Sequence, residues 1–201
     1  MTDRVRLAAI ISGRGSNMAA LLAASRAADC PYALVLVVSD LAEAAGLATA
    51  RDAGVPALLV PRRKDRAAFE VELDAALRAA HVELVALAGF MRILTPWFIA
   101  RWQGRLLNIH PSLLPAYKGL DTHARAIAAG DREAGCSVHH VTAELDGGAV
   151  IAQARVPILP GDTPETLAAR VLGAEHDLYP AAVAAVARGL EREGGEAMLQ
   201  S

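Results

Sequence analysis

The chain has little of what commits a protein to nucleic acid, to a metal or to an oxidising compartment. It has two cysteines, Cys30 and Cys136, which lie far apart and form no Cys-x-x-Cys pair, so a reducing environment is favoured over a disulfide framework. Its formal net charge is −2, whereas a dedicated nucleic-acid-binding protein usually carries a basic excess. It has no His-Glu-x-x-His motif and no Cys/His cluster. We therefore expect no nucleic-acid partner and no bound metal.

Long apolar runs are also missing. No stretch approaches the roughly 20 apolar residues that cross a bilayer as a helix. The run at residues 7–11 follows two arginines, but it is too short for a secretory signal and no small-residue cleavage site comes after it. The sequence thus predicts a protein that does not engage the membrane and that resides in the cytoplasm.

Apolar runs and helical patterns alternate through the first half of the chain. The apolar runs are unbroken, which is typical of strands covered on both faces. This β-α-β-α order predicts an α/β fold with a mostly parallel, twisted sheet flanked by helices. The predicted strands are 5–11, 33–38, 57–60, 84–88 and 106–110, and the predicted helices are 17–28, 43–53, 65–80 and 96–101.

The pattern changes after residue 110. A Pro- and Gly-rich loop is followed by a predicted helix at 122–129, strands at 137–141 and 150–156, and a final helical region that starts at 164. Thr163 is the candidate N-cap, and we expect Pro180 to break or kink this last helix. Since no linker or repeat is visible, the sequence predicts one domain, residues 1–201, with an antiparallel C-terminal extension.

A glycine-rich turn, Ser12-Gly13-Arg14-Gly15-Ser16-Asn17, separates the first predicted strand from the first predicted helix. Backbone N–H groups at a helix N-terminus, together with the helix dipole, favour an anion there. Glycine lets the backbone approach a ligand closely, and the side chains of Ser16 and Asn17 can add donors. The turn therefore indicates a phosphate-binding loop.

This turn is also compatible with other interpretations. A dinucleotide fingerprint needs a small residue where Met18 stands, although Asp40 lies near the position of a ribose-binding acid. An NAD-binding Rossmann protein is therefore a distant alternative. A Walker A loop is excluded because no Gly-Lys-Ser/Thr follows. A tight turn between strand and helix that binds no ligand remains open.

The segment Leu107-Asn108-Ile109-His110-Pro111 is the most informative in the chain. It has the pattern of a buried strand that stops in a Pro-rich loop. Side chains two apart on a strand share a face, so Asn108 and His110 project together from the carboxyl end, where open α/β sheets bind ligands. An imidazole titrates near neutrality, and an amide donates to a developing oxyanion. The alternative is a histidine that only satisfies a strand end.

Asp146, in the turn Glu144-Leu145-Asp146-Gly147-Gly148, is the third candidate. If this turn returns to the strand ends, its carboxylate orients His110 and stabilises the charged imidazole. Asp-Gly-Gly is also a common hairpin turn, so the motif alone leaves the role open. His139 and His140 are adjacent on a predicted strand and point to opposite faces. They cannot chelate one metal together, but one of them can line the site.

Four segments together resemble one family, the phosphoribosylglycinamide formyltransferases, which are folate-dependent enzymes of purine synthesis. The segments are Gly13-Arg14-Gly15-Ser16-Asn17, similar to the family's phosphate loop; Leu87-Ala88-Gly89-Phe90-Met91-Arg92-Ile93-Leu94, similar to its folate-binding segment; Asn108-Ile109-His110-Pro111-Ser112-Leu113-Leu114-Pro115, similar to its signature strand and loop; and Glu144-Leu145-Asp146-Gly147-Gly148, similar to its catalytic-aspartate loop. The similarity keeps the same order from residue 5 to about residue 180. The second and third segments are highly specific when they occur together.

This resemblance implies a fold and a reaction. The fold would be the Rossmann-like formyltransferase fold, with a nucleotide-binding half at about 1–105 and a folate-binding, catalytic half at about 106–201. The reaction would move a formyl group from 10-formyltetrahydrofolate, the co-substrate, to the amine of glycinamide ribonucleotide through a tetrahedral intermediate. The implied partners are these small molecules, and a homodimer is compatible with them.

The resemblance also implies a role for individual residues. The catalytic set corresponds to Asn108, His110 and Asp146. The residues that hold the substrate phosphate correspond to Gly15, Ser16 and Asn17, and a further substrate contact corresponds to Glu175. The folate contacts correspond to Arg66, Met91, Arg92, Ile93 and Leu94, the last four partly through their backbone.

Two related enzymes with the same catalytic set are alternatives. Formyltetrahydrofolate hydrolase uses water as the acceptor and carries an extra N-terminal domain, whereas methionyl-tRNA formyltransferase carries an extra C-terminal domain. The expectation favours the glycinamide ribonucleotide enzyme, because the first strand begins near Val5, the chain ends soon after Ala187 and the turn suits a phosphorylated acceptor. Two positions depart from the family's pattern, Asp121, where His is frequent, and Asp40, where Asn is commoner.

Overall fold

The computed structural model describes residues 4–199, with side chains up to residue 190. Its strands are β1 (Val5–Ile11), β2 (Tyr32–Ser39), β3 (Ala57–Leu59), β4 (Leu84–Leu87), β5 (Leu106–His110), β6 (Glu133–His140) and β7 (Val150–Pro157). Its helices are α1 (Ser16–Ser25), α2 (Ala45–Asp52), α3 (Arg66–Ala79), α4 (Pro96–Arg101), α5 (Thr122–Ala128) and α6 (Pro164–Leu199). Among these described residues, no helix combines the length and the apolar character of a membrane span.

The seven strands form a sheet with the order β3-β2-β1-β4-β5-β6-β7. Strands β1 to β5 pair in parallel, and β6 and β7 are each antiparallel to their neighbour. The predicted mostly parallel α/β fold with an antiparallel extension is confirmed. After β1 the chain adds β2 and then β3 next to β1 in one direction along the sheet. It then crosses over to add β4 on the opposite flank of β1. The crevice at the carboxyl ends of β1 and β4 is therefore the switch point at which such sheets bind ligands.

Each face of the sheet buries its own hydrophobic core. One core contains buried side chains of α1, α2 and α6, and the other contains buried side chains of α3 and α4. Along β5, Leu107 and Ile109 belong to the first core and Leu106 to the second. Because side chains alternate along a strand, Asn108 and His110 lie on the same side as Leu106, facing α3 and α4.

Two element boundaries differ from the sequence prediction by three residues or more. Helix α1 ends at Ser25, because the chain tightens into three-residue turns in which the N–H of Arg26 donates to Ala23 and that of Ala27 to Ala24. Strand β6 begins at Glu133, four residues before the predicted start, because it already pairs there with Pro157 of β7. Antiparallel pairing between distant segments leaves no periodic signal in a short window of sequence.

Of the break or kink predicted at Pro180, the break was wrong, since α6 runs through this residue from Pro164 to Leu199. Tyr179, Ala182 and Val183 are buried against the sheet on both sides of the proline. This packing offsets the missing backbone donor, because tertiary contacts supply most of the stability of a helix in a protein.

The predicted N-cap is confirmed, as Oγ1 of Thr163 accepts from the N–H of Thr166 at 3.3 Å. The division of the chain into two functional halves stays a prediction.

Candidate active site

The glycine-rich turn lies at the switch point, between β1 and α1. Gly15 is the N-cap of α1 in the left-handed conformation, with φ 74°, and no side chain caps the helix. A Cβ on Gly15 would lie 2.9 Å from the Cα of Gly46, so close packing as well as backbone conformation demands glycine. The first helical bond comes from the N–H of Ala19 to Gly15. The N–H groups before it lack helical acceptors, and such groups at a helix N-terminus favour an anion.

Asn17 and Glu175 meet in the same crevice. Nδ2 of Asn17 donates to Oε2 of Glu175 at 2.6 Å, and both side chains are buried. Burial raises the pKa of the Glu175 carboxyl above its ordinary value, and the hydrogen bond from Asn17 acts in the opposite direction. Oδ1 of Asn17 is buried without a partner among the described residues. Two predicted binding residues from opposite ends of the chain thus line a cavity of about 450 Å³.

Ser12 ties this turn to the segment that follows β4. Its Oγ accepts from the N–H of Met91 at 3.0 Å, and its own N–H donates to Gly89 at 3.1 Å. Ser12, Gly89 and Met91 all line the cavity that holds Asn17 and Glu175. The phosphate-loop candidate and the predicted folate segment are therefore one hydrogen-bonded unit. Nothing in the sequence pattern of Ser12 pointed to this bond.

The predicted folate segment exposes large apolar side chains beyond the carboxyl end of β4, a central strand of the sheet. Met91 is 71% exposed and Ile93 is 61% exposed, a feature that marks binding surfaces when such residues cluster. Leu94 is buried in the core beside α3 and α4, so only its backbone remains for a ligand. The guanidinium of Arg92 lies over the ring of Phe69 at 4.4 Å. Arg66 is exposed at the start of α3.

The three predicted catalytic side chains come together at the end of β5. Nδ1 of His110 lies 3.4 Å from Oδ2 of Asp146. Nδ2 of Asn108 lies 3.2 Å from Nε2 of His139, and this Nε2 lies 3.6 Å from Oδ1 of Asp146. His139 therefore stands between the amide and the carboxylate. The sequence indicated only that one of His139 and His140 can line the site, because the register of β6 was not visible.

Strand register and one turn produce this arrangement. In the antiparallel pairing of β5 with β6, Asn108 lies opposite His139 and His110 opposite Ser137. The turn at 144–148 then returns over the strand ends with Asp146 in the left-handed conformation, φ 49°. A Cβ on Gly148 would lie 1.7 Å from the carbonyl oxygen of His140, so only glycine allows the turn to close here. The N–H of Gly119 donates to Oδ2 of Asp146 at 2.9 Å.

The ring nitrogens of both histidines face specific hydrogen-bond partners. Nε2 of His110 lies 3.0 Å from the carbonyl oxygen of Tyr117, and Nδ1 faces Asp146. Each ring nitrogen of His110 therefore faces an oxygen that accepts hydrogen bonds. Burial lowers the pKa of His139, against a backbone hydrogen bond that raises it. Its Nδ1 donates to the carbonyl of His140 at 2.9 Å, so a neutral His139 presents Nε2 as the acceptor for Asn108.

Asp40 is engaged in a way that disfavours a ribose-binding role. It is buried, and its Oδ2 forms an ion pair with Nε of Arg62 at 2.5 Å. The carboxylate that would accept from a nucleotide ribose is thus held by an arginine. Asp121, the other departure, is the N-cap of α5 with φ 57° and makes no capping hydrogen bond. Neither residue takes part in the cluster around His110.

Known proteins share this architecture and its sequence. A sequence model of the formyl transferase family matches residues 5–183. The phosphoribosylglycinamide formyltransferase of Escherichia coli (strain K12) is 44% identical over 187 residues, which are 92% of this chain and 88% of that protein. The chain belongs to the phosphoribosylglycinamide formyltransferase family. The resemblance carried by the four segments is therefore confirmed.

Solved structures of phosphoribosylglycinamide formyltransferases have the same fold. The crystal structure of the Brucella melitensis protein has a TM-score of 0.89 and 51% sequence identity, covering 92% of this chain and 96% of that one. The crystal structure of glycinamide ribonucleotide transformylase 1 from Symbiobacterium toebii has a TM-score of 0.90 and 44% identity, covering 92% and 89%. These relatives do not favour the hydrolase, tRNA-dependent or NAD-binding alternatives.

Sequences similar to this chain also occur within longer proteins. The trifunctional purine biosynthetic protein adenosine-3 of Drosophila pseudoobscura pseudoobscura is 48% identical over 197 residues. The match covers 96% of this chain and 14% of that protein, so the chain spans a small part of that relative.

Within residues 4–190 of this chain, no group of three or more His, Cys, Asp or Glu side chains is placed to hold a metal ion. The expectation of no metal stays a prediction.

Proposed function

We propose that this protein transfers the formyl group of 10-formyltetrahydrofolate to the amine of glycinamide ribonucleotide. The observation that carries the proposal is the cluster of Asn108, His110, His139 and Asp146 at the carboxyl edge of the sheet. This cluster lies at the end of β5, whose Ile109 lines the cavity of the glycine-rich turn. A phosphorylated amine bound at the turn and a folate bound at 91–94 would both reach it.

The ribonucleotide would bind at the N-terminus of α1. The backbone N–H groups of Gly15, Ser16 and Asn17, with the Ser16 hydroxyl, would hold the phosphate, because they point from an uncapped helix end. Glu175 would contact the sugar or the glycinamide, since its buried carboxyl lines the same cavity. Its bond to Asn17 links the two contacts.

The folate would bind along the segment after β4. The exposed side chains of Met91 and Ile93 offer an apolar surface for a flat ring, and the backbone from Met91 to Leu94 can supply hydrogen bonds to its polar edge. Arg66 and Arg92 would attract the carboxylates of the folate tail, since guanidinium groups pair bidentately with carboxylates. Arg92 is already held near Arg63, to whose carbonyl it donates at 3.3 Å.

The reaction needs an oxyanion site and a route for one proton. The substrate amine attacks the formyl carbon, and negative charge develops on the formyl oxygen. Nδ2 of Asn108 has a second N–H besides the one that faces His139, and this N–H would donate to that oxygen. Nε2–H of protonated His110 would donate to it as well, in place of its contact with the carbonyl of Tyr117. Asp146 would keep His110 charged and would take the amine proton through a water molecule. When the bond from the formyl carbon to the folate nitrogen breaks, that nitrogen receives the proton and tetrahydrofolate leaves.

One assay tests this function against its rivals. Purified protein is mixed with 10-formyltetrahydrofolate, with or without glycinamide ribonucleotide, and the release of tetrahydrofolate is followed. We expect release only when the ribonucleotide is present, with formylated ribonucleotide formed in equal amount. Release without the ribonucleotide would support the hydrolase instead, and no release in either mixture would remove the proposal. A homodimer and a cytoplasmic location stay predictions, and sedimentation of the protein tests the first.

A further inference from the structure

The cavity at the glycine-rich turn has an unusual charge composition. Its polar lining includes the uncapped end of α1, the hydroxyls of Ser12 and Ser16, the amide of Asn17 and the carboxyl of Glu175. Among the described residues that line it, Arg14 is the only cationic side chain. Any anion that enters the cavity therefore meets one cation and one carboxyl.

Arg14 is not engaged elsewhere. Its side chain is exposed, and it forms no ion pair or side-chain hydrogen bond with any residue in the described range. Other arginines of the chain are committed, for example Arg62 to Asp40, Arg170 to Asp162 and Arg101 to Asp74. The cation in the cavity is therefore available to a ligand.

A phosphate ester in this cavity would gain from a cation beside the neutral donors. It carries between one and two negative charges near neutral pH. The end of α1 contributes only about half of an elementary charge, and the hydroxyl and amide groups carry none. An ionised Glu175 would repel the phosphate. A cation would therefore strengthen phosphate binding here, and Arg14 is the lining residue that can supply it.

The backbone around Arg14 is held in place while its side chain is not. The carbonyl of Gly13 accepts from the N–H of Gly46 at 3.2 Å, and Gly15 packs against the Cα of Gly46. Arg14 thus extends from an anchored turn at the mouth of the cavity. Its guanidinium can turn onto a phosphate without moving the loop, and its planar fork suits two phosphate oxygens at once.

We propose that Arg14 determines specificity for the phosphorylated form of the substrate by pairing with its phosphate. The inference rests on the proposed function, because it assumes that the acceptor is a ribonucleotide. It predicts that the contribution of Arg14 depends on the phosphate alone. The substrate amine, the sugar and the folate would bind without it.

The test replaces Arg14 and compares two acceptors. For Arg14→Gln we expect KM for glycinamide ribonucleotide to rise about 10- to 100-fold, the loss typical of a charge-assisted hydrogen bond, with the effect falling on KM and not on kcat. KM for the phosphate-free riboside and KM for the folate should stay within twofold of the parent values. Arg14→Lys keeps the charge and should recover part of the affinity. Arg26→Gln is the matched control, since Arg26 is exposed at the other end of α1.

A binding measurement separates this inference from the proposed function. Calorimetric titration with ribose 5-phosphate needs no turnover, and we expect the parent and Arg14→Lys to bind it and Arg14→Gln to bind it at least tenfold more weakly. If these affinities differ as expected but no formyl transfer is seen, the function fails and the role of Arg14 stands. Equal affinities for the parent and Arg14→Gln, no binding by the parent, or equal KM changes for both acceptors would each overturn the inference.

Discussion

Oδ2 of Asp146 lies 3.4 Å from Nδ1 of His110. His110 ends a central strand, whereas Asp146 belongs to a turn between two antiparallel strands at the edge of the sheet. The same carboxylate oxygen accepts from the N–H of Gly119 at 2.9 Å, so it is held on the loop that follows His110. A carboxylate fixed in this way can keep an imidazole charged and oriented.

Replacing Asp146 by Asn tests that relationship. Asn adopts the left-handed backbone as readily as Asp, so we expect Asp146→Asn to fold. Turnover should fall about 100-fold or more, the usual contribution of a proton-transfer group, while affinity for a folate analogue is retained. Steady-state kinetics and equilibrium titration measure the two quantities.

The matched control for that change is Asp121→Asn. Asp121 also has a left-handed backbone, with φ 57°, but its side chain is exposed and caps nothing. Asp121→Asn should therefore keep turnover within about twofold of the parent value. A folded Asp146→Asn protein with full activity would remove Asp146 from the mechanism.

Removing the amide of Asn108 should slow the chemical step. We expect Asn108→Ala to lower kcat by about 100- to 1,000-fold, because one oxyanion donor typically contributes about 3–4 kcal/mol to the transition state. KM for either substrate should change little, since the bond strengthens only as charge develops. Near-normal turnover in this variant would show that the assignment of Asn108 is wrong.

The turn that carries Asp146 should be sensitive to a single methyl group. In Gly148→Ala the added Cβ would lie 1.7 Å from the carbonyl oxygen of His140, so the turn must move and carry Asp146 away from His110. We expect a loss of stability of about 1–3 kcal/mol and a larger proportional loss of kcat. Denaturant unfolding and kinetics measure the two effects.

Gly189→Ala is the comparison for Gly148→Ala. A Cβ at Gly189 meets nothing within 4 Å, and alanine favours a helix over glycine by about 1 kcal/mol. This variant should be as stable as the parent or more stable, with unchanged kcat. If Gly148→Ala behaved in the same way, the turn would not depend on that contact.

His139 should make the fold sensitive to acid. Burial lowers its pKa below the ordinary value of 6.5, so the unfolded chain binds the proton more readily than the folded one. Its contribution to stability is full above pH 6.5 and is lost as the pH falls through the lowered pKa. His123, whose pKa burial also lowers, acts in the same direction, whereas the raised pKa of Glu175 acts in the opposite one.

The measurement compares variants across that pH window. We expect the free energy of unfolding of His139→Gln to fall less steeply than that of the parent as the pH drops below 6.5. His81→Asn, at an exposed position with a left-handed backbone, should follow the parent. Parallel curves for the parent and His139→Gln would contradict a neutral His139 in the folded protein.

Local pattern was sufficient for much of the fold and for part of the site. The unbroken apolar runs of β1, β2 and β4 predicted buried parallel strands, and the two-residue period placed Asn108 and His110 on one face. The glycine-rich turn predicted a helix N-terminus directly after the first strand, and α1 begins there at Ser16. Each of these features depends on neighbouring residues alone. The roles assigned to them remain proposals that the variants above test.

The features of this protein that its sequence did not predict depend on contacts between distant segments. The sequence determined the strand and helix periods, the turn residues and the family motifs, because these follow from backbone geometry over a few residues. The pairing that sets His139 opposite Asn108, the return of the 144–148 turn and the bond from Ser12 to Met91 required the folded chain. Helix α6 likewise continues through Pro180 because of burial against the sheet. Register and packing are settled by the free energy of the whole fold, and no short window of sequence contains that information.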